Sequence, residues 1–105
     1  MSDSVRLIIR NDSSSYMQFL KKEAFKGEFQ HYSGSQDSLS PGDMARIIYK
    51  LDDNGEAKAD LYYNTRAGMS LLQVTRENGH LEGKVQGGSG RCNNSDDNEL
   101  QFFLQ

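Results

Sequence analysis

With 105 residues carrying 12 basic and 15 acidic side chains, the chain reads as one domain over residues 1–105. Its net charge of −3 argues against nucleic acid as a partner, because phosphate binding depends on clustered Lys and Arg. The lone Cys92 leaves no intrachain disulfide, and no apolar run approaches the roughly 20 residues that cross a bilayer as a helix.

The dominant pattern along the chain is alternation with period two, the signature of half-buried strands. Val5, Leu7 and Ile9 oppose Arg6 and Arg10, and the run stops at the turn cluster Asn11-Asp12-Ser13-Ser14. Residues Ser14–Lys26 read as a strand, with an amphipathic helix capped by Gly27 as the alternative. Gly27 to Tyr32 extends again, and Gly34 to Gly42 is a polar loop with the single proline, Pro41. Ala45, Ile47 and Tyr49 alternate with Arg46 and Lys50, and Asp52-Asp53-Asn54-Gly55 predicts a hairpin turn because Asn-Gly supplies positive φ angles.

Ala57, Ala59, Leu61 and Tyr63 alternate with Lys58, Asp60 and Tyr62. Leu71-Leu72 breaks the alternation of Met69 to Arg76 and suggests a bulge. Asn78-Gly79 is a second hairpin signal, followed by the alternating Leu81, Gly83 and Val85, a long loop from Gln86 to Asn98, and a last strand with Leu100, Phe102 and Leu104 inward. Seven or eight short strands with regular turns predict an all-β fold, a two-layer antiparallel β-sandwich. Met1-Ser2-Asp3-Ser4 runs straight into the first strand, so the expected location is cytoplasmic, or outside by a route without a cleaved signal peptide.

Catalytic patterns are scarce. His31 and His80 belong to no metal-binding spacing and read as solvated surface residues, and no G-x-S-x-G elbow is present. Gly87-Gly88-Ser89-Gly90 lacks the lysine and hydroxyl of a phosphate loop and reads as a connection. Asn11-Asp12-Ser13 and Asn93-Asn94-Ser95 match the glycosylation pattern but read as unmodified turns. The expectation is a non-enzymatic binding protein without a cofactor. Asp52–Glu56 and Asn93–Asp97 are oxygen-rich and keep a calcium-binding alternative open. The aromatic rings exceed what one face of a thin core needs, and a tyrosine combines an apolar body with a polar tip suited to an interface. The candidate binding residues are Tyr16, Phe29, Tyr32, Tyr62 and Tyr63.

In order, several landmarks resemble the aegerolysin family and its insecticidal bacterial relatives. These are Val5-Arg6-Leu7-Ile8-Ile9 before Asn11, then Tyr16-Met17-Gln18-Phe19, Gly27 with Phe29, Ser40-Pro41-Gly42-Asp43, Ala57-Lys58-Ala59-Asp60-Leu61-Tyr62-Tyr63, and Gly68 before Met69-Ser70-Leu71-Leu72. The resemblance implies a sandwich that engages a membrane lipid headgroup, often beside a larger pore-forming protein partner. The family is rich in Trp, and this chain has none. Leu20-Lys21-Lys22-Glu23-Ala24-Phe25-Lys26-Gly27, with Leu39, is similar to the folded hairpin of βγ-crystallin Greek keys, which implies calcium binding. A third reading is a small inhibitor or immunity-type interaction protein whose acidic balance suits a basic partner.

Overall fold

A computed structural model describes the backbone of residues 3–33 and 38–105, and their side chains except at residues 31–33 and 95. Among the described residues ten strands form: β1 Ser4–Asn11, β2 Met17–Lys26, β3 Glu28–Ser33, β4 Ser38–Leu39, β5 Met44–Lys50, β6 Ala57–Thr65, β7 Gly68–Glu77, β8 His80–Gln86, β9 Gly90–Asp96 and β10 Glu99–Leu104. They build two five-stranded sheets. The first has the order β3-β5-β1-β10-β9 and the second β4-β2-β6-β7-β8.

The alternation seen in the sequence sets which side chains enter the space between the sheets. Leu7, Ile9, Ile47, Tyr49, Leu100, Phe102 and Leu104 enter from the first sheet. Met17, Ala59, Leu61, Tyr63, Leu72, Val74 and Leu81 meet them from the second. Tyr63 packs its ring 5.4 Å from that of Phe19, and Phe29 meets Tyr49 edge-on at 4.8 Å.

The all-β sandwich is the expected one, with several differences in detail. The strands number ten for two reasons: the expected polar loop Gly34–Gly42 holds the short β4, which pairs with β2, and Gln86–Asn98 is not a long loop, since β9 lies within it and pairs with β10. Side-chain amides and hydroxyls make this segment look like a loop, yet an edge strand tolerates them since one face and one edge meet water. Among the described strands one pair is parallel, β1 with β10, so the first and last strands lie side by side in the first sheet.

Ser14–Lys26 holds β2, not a helix. Its register skips the exposed Leu20 between the pairs Phe19–Tyr63 and Lys21–Tyr62, and this bulge brings Lys21 to the outward position opposite Tyr62. The bulge expected at Leu71-Leu72 is absent, since β7 keeps unbroken register with both neighbours.

Asn78-Gly79 makes the predicted hairpin between β7 and β8, with φ of 54° and 76°. Asp52–Glu56 does not make one. It carries the chain from β5 in the first sheet to β6 in the second. Gly27 does the same between β2 and β3, so the crystallin-like segment crosses between sheets and does not fold into a hairpin. At Gly27 φ is 85°, and a Cβ there would strike the Lys50 carbonyl oxygen and lie 2.7 Å from the Tyr49 ring.

Candidate functional site

The sandwich measures 39 × 21 × 21 Å and its two ends differ. One rim is organised by Asn11, a fully buried polar side chain at the end of β1. Its Nδ2 donates to the carbonyls of Ser15 and Leu39, both at 2.8 Å. Its Oδ1 accepts from the Ser13 amide at 2.9 Å and the Ser13 hydroxyl at 2.7 Å. Three of these bonds hold the 12–15 loop in one shape and the fourth ties it to β4 at Leu39, and Tyr16 is the next residue. Burying an amide is costly unless it is satisfied in this way.

Tyr16 is 70% exposed. It stands over an open hollow of about 670 Å³ that it lines with Ser15, Gln18, Ser38, Asn64 and Arg66. Arg66 comes from the β6–β7 turn, next to the exposed Met69. Strand pairing continues this surface along the outer face of the second sheet. Gln18, Asn64 and Met69 form one row, and Lys21, Tyr62, Leu71 and Gln86 the next. Tyr62 lies half-buried with the Lys21 ammonium 4.8 Å from its ring centre. The Glu23 carboxylate, 2.9 Å from Lys21, raises the lysine's pKa through their hydrogen bond.

Farther from the rim this face turns polar. Lys58, Asp60, Gln73, Thr75, Glu82 and Lys84 line a shallow hollow of about 200 Å³. Its charges balance, with Lys84 placed 3.5 Å from Glu82. The opposite rim of the molecule gathers Asp3, Asp52, Asp53, Glu56, Glu77, Asp96 and Asp97 on its turns and strand ends.

The five candidate residues therefore part company. Tyr16 and Tyr62 share one outer face. Phe29 is half-buried against Tyr49, with the Lys22 ammonium 5.3 Å from its ring centre. Tyr63 is 1% exposed and belongs to the core, because it follows Tyr62 and the pleat sends it inward. It offers no surface to a partner. Tyr32 pairs with Ile47 in β3, and its side chain lies outside the described residues, as does that of His31.

Sequence reasoning missed Arg66 and Met69. Arg66 sits in the two-residue β6–β7 turn and lines the Tyr16 hollow, while Met69 on β7 pairs with Asn64 and so joins the row that begins at Gln18.

Other expected chemistry finds ordinary structural roles. Asp52 Oδ1 accepts from the amides of Asn54 and Glu56, both at 2.9 Å, so it caps its own loop. Asn94 bonds the edge backbone of β8 at Gly83, accepting from its amide at 3.1 Å and donating to its carbonyl at 3.4 Å. Among the described residues no group of three or more His, Cys, Asp or Glu side chains converges as a metal site. His80 is exposed, with Nε2 3.8 Å from Glu82 and Nδ1 3.6 Å from Asp97. Among the described residues no helix is long and apolar enough to cross a membrane.

No protein-family model and no curated protein matches the chain. Among solved structures, it is similar to the crystal structure of the lipid binding protein Nakanori. The TM-score is 0.65 over 98% of this chain and 70% of that one, at 10% identity. At that identity the likeness speaks for the fold: the two chains share the sandwich.

Proposed function

We propose that this protein binds membrane lipid headgroups without catalysis, using the rim and outer face that carry Tyr16, Tyr62, Arg66 and Met69. The observation that carries this reading is the exposed Tyr16 beside Arg66 over an open hollow, with the exposed Met69 on the neighbouring strand of the same face. An aromatic ring with a polar tip, a thioether and a guanidinium match the chemistry at the level of lipid headgroups, where apolar and charged groups meet. The same rim lies away from most of the carboxylates, so its approach to a headgroup layer meets less repulsion. The shared fold of a lipid binding protein supports the reading, as does the resemblance of the landmarks to aegerolysins.

The test is co-sedimentation of the whole chain with vesicles of defined composition: phosphatidylcholine alone, and phosphatidylcholine with sphingolipid, sterol, phosphatidylethanolamine or phosphatidylserine. Binding to at least one composition that weakens in Tyr16→Ala is the expected result. No binding to any vesicle would remove the proposal.

A protein partner on the same face is the second reading. It is favoured by the exposed Leu20 and Phe25, apolar side chains on the bulged strand β2. A larger pore-forming partner fits the family resemblance, and it would be found by pull-down from the source cells. In that case the binding face includes Leu20 and survives without lipid.

A further inference from the structure

The outer face of the first sheet carries a charge pattern unlike the rest of the chain. Arg6, Arg10, Arg46, Lys50 and Arg91 point outward there, opposed by Glu28, Glu99 and Asp96, the register partner of Glu99. In a molecule of net charge −3 this face is net positive. Its carboxylates are also confined to one half. Glu28 is the register partner of Lys50, and Glu99 lies 3.2 Å from Arg6, both toward the acidic rim. Arg10, Arg46 and Arg91 occupy the half nearer Tyr16, and among the described residues none of them forms an ion pair.

Two of these arginines are held in place by a ring. Phe103 is the register partner of Arg10 on β1 and of Arg91 on β9, so the three form one row across adjacent strands. The guanidinium carbon of Arg10 stands 5.9 Å from the ring centre and that of Arg91 stands 4.1 Å from it. The two charges are therefore no more than about 10 Å apart. Arg10 Nε is buried with no hydrogen-bond partner, an unspent donor beneath the row. A half-buried ring limits the rotamers of both side chains, so less entropy is lost when they bind an anion.

We propose that the Arg10–Phe103–Arg91 row, with Arg46, is an anionic-phospholipid contact that is separate from the Tyr16 hollow. The occupant is a layer of phosphate diesters on a membrane. The face is an open sheet, not an enclosed cleft, and Arg10, Arg46 and Arg91 lie near its Tyr16 end, where long arginine side chains reach a charged plane that meets that rim. It also adjoins the rim already assigned to the membrane, and its positive charge opposes the acidic far rim. The molecule would then stand end-on, with Tyr16 on one side of its foot and the arginines on the other. This inference rests on the lipid reading above.

The experiment is sedimentation of the whole chain with phosphatidylcholine vesicles and with vesicles containing phosphatidylserine, at low and physiological salt. It compares the wild type with Arg46→Gln/Arg91→Gln, two exposed positions whose loss leaves the core intact, and with Tyr16→Ala. Each cation near an anionic surface strengthens binding roughly fivefold, so the double variant should lose about 25-fold on serine-containing vesicles. Its binding to phosphatidylcholine should be unchanged. Equal binding of wild type and double variant to anionic vesicles would overturn the inference while leaving the Tyr16 reading intact. Charge-selective binding that ignores Tyr16→Ala would instead remove the Tyr16 reading and keep the arginine row. Arginine-dependent capture of soluble poly-glutamate without vesicle binding would also overturn the inference, and would assign the face to an acidic protein.

Discussion

The hydroxyl of Tyr49, on β5, donates to the carbonyl of Lys26 at the end of β2, 2.6 Å away, and so bonds one sheet of the sandwich to the other. A second, longer contact reaches the Lys58 carbonyl at 3.3 Å. The ring is fully buried and lies against the Gly27 corner. Burial raises the phenol pKa to about 12, with the nearby Asp52 and Glu28 adding to the effect. The folded state therefore keeps this proton where the unfolded chain, with a tyrosine pKa near 10, releases it.

Stability from this group is complete below about pH 10 and is lost as pH rises toward about 12. Urea unfolding at pH 8, 10 and 11 should show a decline that is steeper in the wild type than in Tyr49→Phe. Tyr49→Phe itself should cost about 1–2 kcal/mol at pH 7, since the part-buried Lys26 carbonyl loses its phenol donor. Parallel pH curves for the two proteins would show that the phenol is not held in this way.

Asn11 makes a different forecast because three of its four bonds serve the loop before Tyr16 and the fourth reaches β4 at Leu39. Asn11→Ala should destabilise the chain by roughly 3 kcal/mol, through a small cavity and the loss of its buried donor to the Leu39 carbonyl and its bonds to Ser13 and Ser15. Asn11→Asp should be no better, because a carboxylate would face the Ser15 and Leu39 carbonyls with no donor. Thermal melts rank the variants. An Asn11→Asp protein as stable as the wild type would contradict the assignment of Nδ2 as the donor.

Most of the sandwich was legible from alternation alone: β1, β5, β6, β8 and β10 place their inward residues as the pattern demands. The misread parts share a physical cause. β9 is an edge strand with few apolar side chains, so its sequence resembles a loop. Asp52–Glu56 has turn chemistry, but turn chemistry does not say whether the next strand joins the same sheet. The site was half legible. An exposed tyrosine before a strand can be found by eye, and the pleat separates Tyr62 from Tyr63 once the strand is known. The row of Arg10, Phe103 and Arg91 could not be found, because the parallel pairing of β1 with β10 joins residues from opposite ends of the chain.

Cys92 is half-buried where β9 approaches β8, with its thiol 3.2 Å from Asn94 Oδ1. Desolvation pushes its pKa up to about 11 from an ordinary 9.0. The thiolate is the reactive form, so at pH 8 the folded protein should react with iodoacetamide on the order of a hundredfold more slowly than the urea-unfolded chain. Mass spectrometry of timed aliquots reads the difference. Equal labelling rates would mean that the β8–β9 edge opens freely.

Tyr16, Tyr62 and Tyr63 separate binding from stability. Tyr16→Ala removes a side chain that is 70% exposed, so its melting temperature should match the wild type while vesicle binding falls several-fold. Tyr63→Ala empties part of the core beside Phe19 and should cost about 3–5 kcal/mol. Its binding should fall only in proportion to the unfolded fraction. Tyr62→Ala lies between them: it loses a half-buried ring and its contact with Lys21, so about 1 kcal/mol of stability and a smaller share of binding should go together. Measuring melting temperature and vesicle binding on the same three proteins decides the matter. If Tyr63→Ala loses binding at temperatures where it is fully folded, or Tyr16→Ala keeps it, the membrane contact lies elsewhere on the sandwich.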